Sequence, residues 1–200
     1  LLPGFMVLWM RRNIHESEAF EAAAEYREKT SLWTTFALIF SPKILPRTAM
    51  ASMMAAGALG GNYTILTWLV TYLRETQGLT ISMTTLYLAV NIFGSFCGYI
   101  CMAHLSDALG RRKTFALSAA GATVTVLAYT QLQLPMWGLL LLGFPLGFFQ
   151  SGIVSGMGAC FTELFPAQIR ASAGGFSYNF GRGIGALVPA GVGLTSASFG

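Results

Sequence analysis

The sequence predicts an all-α protein, a polytopic transmembrane helical bundle. Three observations carry this. Of its 200 residues, 54% are hydrophobic and only 10% are charged, whereas charged residues make up about a quarter of an ordinary soluble domain. Several apolar runs are long enough to cross a bilayer core of about 30 Å at 1.5 Å per helical residue. The charges collect in short segments between those runs, as they do in loops at a membrane face. The net charge of +4 does not point to nucleic acid, because such a site needs a basic face on a folded module.

Taken in order, residues 1–10 are apolar and stop at Arg11 and Arg12, as the end of a transmembrane span does. Residues 11–47 read as a cytoplasmic loop with helical segments. Asn13 and Glu16 are spaced as a helix cap and its N3 partner. Glutamates 16, 18, 21, 25 and 28 leave little apolar face, and Glu25 and Lys29 form an i,i+4 pair. Residues 31–40, SLWTTFALIF, are too short to span and rich in aromatics, which suits an interfacial helix. Pro42 and Pro46 then break the chain. Residues 48–200 form the main bundle, with spans expected at about 48–73, 81–104, 114–131, 136–160 and 172–195. Cys97, Cys101 and Cys160 all fall in or at the ends of apolar runs. No metal-type spacing accompanies them, so they read as small packing residues, and no metal or cofactor is expected.

Orientation follows from the bases. Ten of the 12 lysines and arginines fall on alternate connecting segments; Arg74 lies on the other side and Arg182 inside the last span. The positive-inside pattern puts the basic segments in the cytoplasm, with Glu18 and Arg111 inside and Gln77 outside.

Two segments carry more than topology. Residues 103–113, AHLSDALGRRK, place Asp107, Arg111, Arg112 and Lys113 around a helix-stopping Gly110. Residues 163–182, ELFPAQIRASAGGFSYNFGR, begin with Glu163, run through Pro166 and reach Arg170. The first closely resembles the loop signature of the major facilitator superfamily of transporters, although Ala103 and Ala108 replace its usual glycine and base. The second resembles the loop before the eleventh span of the same family, in its sugar, aromatic-acid and metabolite symporter branches. The resemblance implies a carboxyl-terminal half, from the end of span six through span eleven of twelve, with the amino-terminal half and the last span absent. It also implies that Asp107, Arg111, Arg112, Glu163 and Arg170 form a cytoplasmic charge network that locks helices in one state and releases them in another. Glu163 can pair with Arg170, or with Arg111 and Arg112. Without the resemblance, the same bases serve as a positive-inside anchor.

The midplane supplies candidate substrate contacts. Arg182 lies roughly 18 Å along a helix from Arg170, about halfway across the core. A charge there is costly unless it faces a cavity or a partner. Tyr178 and Asn179, one turn earlier, are expected to share its face, which Gly185 and Pro189 continue. Two readings stay open: a bidentate site for an anionic substrate, or an arginine that locks helices and snorkels. Asn62, Tyr63 and Trp68 in the first full span, Asn91 in the next and Gln150 in the fourth reach similar depth. They are candidate cavity-lining groups, or glue between helices.

The expected function is that of a monomeric secondary transporter in the bacterial inner membrane. It moves a small organic anion by alternating access, with protons as the coupling ion implied by the resemblance. A neutral sugar or polyol is the alternative, served by the Asn, Gln and Trp set. The spans hold no Asp or Glu at midplane depth, so if transport is coupled to protons the proton-carrying carboxylate must lie in the absent half. His104 sits near Asp107 without a nucleophile set, and an enzyme is not expected. A receptor or scaffold would not need polar groups converging at the midplane.

Overall fold

The computed structural model describes Arg12, residues 31–132 and residues 134–199. The span end at residues 1–10, the capped helix at 13–29 with its Glu25–Lys29 pair, Glu18 and the turn residue Gln133 lie outside the described residues. Every regular element described is helical. In chain order these are α1 (Leu32–Ile39), α2 (Leu45–Thr64), a π-helical segment (Ile65–Leu69), α3 (Val70–Glu75), α4 (Ile81–Leu109), α5 (Arg111–Gln131), α6 (Met136–Leu164), α7 (Arg170–Gly185) and α8 (Val188–Phe199).

Burial is arranged as membrane solvent demands. Large apolar side chains point outward: Phe93 and Phe96 on α4, Val124 on α5, and Trp137 and Leu141 on α6 are all more than half exposed. Polar side chains are inside: Ser118, Ser177 and Thr114 are buried. Helix threonines answer their hydroxyls locally. Thr64, Thr84, Thr114 and Thr125 each donate to the carbonyl four residues back, a solution that needs no water. Helices α4 and α6 are long and apolar enough to cross a membrane by length and composition. At 29 residues each they measure about 43 Å, more than the apolar core.

The excess length alters the expected loops. The segment at 103–113 is mostly helix. Helix α4 runs on to Leu109, Gly110 turns the chain at φ 88°, and α5 begins at Arg111. Likewise α6 continues to Leu164. The first full span is one helical run with a π-helical turn inside it. The stretch expected as a last span at 172–195 is two helices, separated at Ala186 and Leu187. Pro189 explains the break, because its ring and missing N–H disrupt a helix running in from Gly185 but fit the first turn of α8.

Packing divides into two seams. Helices α4, α5 and α6 form one group, with α6 against both others; α2 packs on α7, with α8 and α1 at its flanks. Contact between α2 and α6, and between α6 and α7, is sparser. Two apolar cores close the ends. At the end bearing the charged turn, Ile39, Ala55, Phe161, Phe165 and Ile169 meet. At the other, Leu73, Tyr87, Tyr129, Leu139 and Leu146 meet. Helix α1 belongs to the first core through Ile39, whose carbonyl accepts from Thr48 Oγ1 at 3.1 Å. Its Trp33 is 85% exposed, as an interfacial anchor would be.

Candidate functional site

Arg182 sits in the last turn of α7. An open cleft of about 660 Å³ lies beside it, lined by Arg182, Asn179, Gly183, Tyr63, Thr67 and Pro189 among others. This is within the usual size of small-molecule sites. Three elements build it: α7 supplies the cation and amide, the top of α2 and its π-helical turn supply Tyr63 and Thr67, and the start of α8 supplies Pro189. The π turn is held by Trp68, whose Nε1 donates to the Pro189 carbonyl at 3.0 Å. Such turns recur at functional sites because they re-aim side chains on an otherwise regular helix. The Arg182 side chain makes no ion pair or hydrogen bond to any described residue. Among the described residues, Glu75, Asp107 and Glu163 all lie at or near the ends of other helices.

The candidate residues are not all brought together. Arg182, Asn179 and Tyr63 share the cleft. Trp68 stands behind it as a strut. Tyr178 turns to a neighbouring cleft with Phe161 and Arg170, and Gly185 turns the opposite way onto Gly60 of α2. The face is therefore 179–182–186–189 rather than one containing Tyr178 and Gly185. Asn62 and Gln150 engage each other, with Gln150 Nε2 donating to Asn62 Oδ1 at 3.0 Å, and so tie α2 to α6. Asn91 is buried and donates to the Gly143 carbonyl at 3.0 Å, which makes it glue in the α4–α6 seam. Gly183 was not singled out as a site residue. No motif marks it; its sequence signal is its adjacency to Arg182.

The charged end has its own geometry. Arg111 donates from Nη1 to Asp107 Oδ1 at 2.9 Å and to Ser106 Oγ at 2.8 Å. Its Nε and Nη2 both reach Glu163 Oε1, at 3.2 and 3.1 Å. One guanidinium thus joins the end of α4, the start of α5 and the end of α6. The hydrogen bond it donates to Glu163 is the largest influence on it, helped by the Glu163 charge and by Asp107, and holds the Arg111 pKa above its ordinary value against a smaller desolvation effect. Arg112 is exposed and outside this triad. Arg170 is outside it too: its Nε donates to the Phe165 carbonyl at 3.4 Å. Arg47 similarly reaches the Leu164 carbonyl at 3.4 Å, so two bases attend the carbonyl end of α6.

An apolar exterior, polar side chains buried among the helices and a cation that faces a cleft without a partner among the described residues fit a multi-pass integral membrane protein. Residues 1–196 match the family model of the Major Facilitator Superfamily, and the chain belongs to that family. It is 35% identical over 201 residues to a protein of Cupriavidus pinatubonensis named "Probable 4-methylmuconolactone transporter", a match covering 100% of this chain and 46% of that protein. It is 28% identical to the cis,cis-muconate transport protein of Acinetobacter baylyi, over 98% of this chain and 48% of that protein. It is 29% identical to the alpha-ketoglutarate permease of Escherichia coli, over 86% of this chain and 39% of that protein. The chain spans about half the length of the curated relatives it matches. No solved structure matches it significantly.

Proposed function

We propose that this chain is the carboxyl-terminal half of a secondary transporter that carries a small organic anion across the bacterial inner membrane by alternating access. The observation that carries the reading is Arg182, a cation without a counter-ion among the described residues, facing an open cleft beside Asn179 and Tyr63. A guanidinium offers a planar fork that binds a carboxylate bidentately. The names of the relatives support an organic acid as cargo: muconate and ketoglutarate are carboxylates. The sugar alternative loses support because Asn62 and Gln150 are committed to each other and Asn91 to a backbone carbonyl.

The conformational step belongs to the other end. Arg111 ties Asp107 to Glu163 across three helices. Exposed pairs of this kind contribute little to stability, so their effect is to bias one arrangement of helix ends over another. Their cytoplasmic placement follows from the positive-inside pattern. Proton coupling, the transporter's working as a monomer, and a proton-carrying carboxylate outside this chain complete the proposal.

Uptake into vesicles by the whole protein tests it. Labelled cis,cis-muconate, 2-ketoglutarate and a neutral sugar are offered with and without an inward proton gradient. Accumulation of an acid that depends on the gradient is expected. Uptake of the sugar alone would overturn the reading.

A further inference from the structure

Arg170 carries the second cation on α7 without an ion-pair partner among the described residues. Glu163, which the sequence left open to Arg170, Arg111 or Arg112, is engaged by Arg111. Arg170 spends only Nε, on the Phe165 carbonyl at 3.4 Å, and its two terminal nitrogens meet no described partner. They border a cleft of about 500 Å³ between α6 and α7 that is separate from the Arg182 cleft. Its wall is apolar, with Phe161 6% exposed. A side chain at Gly175 would meet nothing within 4 Å, and one at Gly174 would reach only Phe161, so the groove is open along its length. Thr162 lies on the α6 side, and Tyr178 closes the far end. The Tyr178 hydroxyl has no side-chain partner among the described residues.

A cation at one end, a phenol at the other and an apolar wall between them suit one kind of guest. It has a single anionic group, an apolar body and a hydrogen-bonding edge opposite the charge. The cleft also has a position in a path. Residues 171, 174, 175 and 178 line this cleft along α7, and Tyr178 stands one turn before Arg182, which borders the adjoining cleft. A guest leaving Arg170 thus meets Tyr178 at the end of this cleft before it reaches the Arg182 cleft.

We propose that the Arg170–Tyr178 cleft is a second, weaker anion site, a station for an amphiphilic monocarboxylate between the charged end of the bundle and Arg182. It shares with the proposed function the anionic character of the cargo but stands on a different side chain and a different cleft, so either can fail alone.

The test is a ¹⁹F NMR titration of the whole protein in nanodiscs with 4-fluorobenzoate as probe and 4-fluorobenzamide as its neutral match. Wild type should show two saturable components for the acid and neither for the amide. Arg170→Gln should remove the weaker component, by about tenfold or more since a charge-assisted contact is lost, and leave the tighter one. Arg182→Gln should do the reverse. A single component in wild type, no binding at all, or a weak component that survives Arg170→Gln overturns the proposal. If Arg170→Gln removes both components, Arg170→Lys must restore the weak one and Tyr178→Phe must weaken it about threefold; failure of both overturns it as well. Loss of the Arg182 component alone counts against the proposed function and leaves this site standing.

Discussion

The α4–α6 seam and the outer face of α7 are both rich in glycine, and they use it in opposite ways. In the seam a Cβ at Gly94 would fall on the carbonyl of Phe144, one at Gly98 on that of Phe148, and one at Gly147 on that of Asn91. The two backbones touch, which is how helices associate where lipid removes the hydrophobic incentive. On α7, a Cβ at Gly175 or Gly183 would meet nothing within 4 Å. There the missing side chain leaves room for a guest. The other side of α7 repeats the seam: Gly185 lies against the backbone of Gly60. One helix thus has a packed face and a vacant one, and the charges Arg170 and Arg182 both border clefts on the vacant side.

The largest effect should come from adding one methyl group to each kind of glycine. Gly147→Ala forces two backbones apart and should cost about 1–3 kcal/mol, seen as a lower unfolding temperature in detergent. Gly183→Ala has space and replaces a poor helix former, so it should be neutral or gain up to about 1 kcal/mol. Equal losses at both would erase the contrast. A bulkier change sharpens it: Gly183→Leu should leave the unfolding temperature near that of wild type and reduce affinity for a carboxylate at least about tenfold, by filling the cleft. Retained affinity would show that the cleft is not where the acid sits.

Smaller effects are expected at the charged end. Glu163→Gln and Asp107→Ala should slow uptake several-fold while substrate affinity stays within about twofold, because the pair biases states and lies far from the cleft. Arg112→Ala, which removes no ion pair seen here, should slow uptake less. Loss of affinity with normal cycling would contradict this division. The smallest change should be at Asn91. Removing its bond to Gly143 in Asn91→Ala should cost about 1 kcal/mol with no change in substrate preference.

The helical class and the family were legible in the sequence because each rests on composition, charge placement or a loop signature, and charge placement also marked Arg182 as the cation inside the last expected span. Register was not legible. Helical spacing put Tyr178 on the face of Arg182, yet α2 takes the Gly181–Gly185 side of α7 and leaves two adjoining clefts, dividing Tyr178 from Asn179. Depth in the membrane grouped Asn62, Asn91 and Gln150, but which of them reach a cavity depends on partners on other helices, and the seam claims Asn91. The partner of Glu163 could not be chosen either: Arg170, Arg111 and Arg112 were all within reach, and Arg111 wins because the ends of α4, α5 and α6 converge on it. The π turn at Ile65–Leu69 leaves no trace in sequence pattern.

The central claim is that Arg182 is neutralised by the cargo. A binding titration of a carboxylic acid and its matching amide, against wild type and Arg182→Gln of the whole protein, tests it most directly. Wild type should prefer the acid clearly. Arg182→Lys should weaken that preference, since a point charge cannot reproduce the fork. Arg182→Gln should abolish tight acid binding and bind the amide about as wild type does, while remaining folded and inserted, because removing a charge from the membrane interior does not itself cost stability. Equal affinity of wild type and Arg182→Gln for the acid would contradict the account.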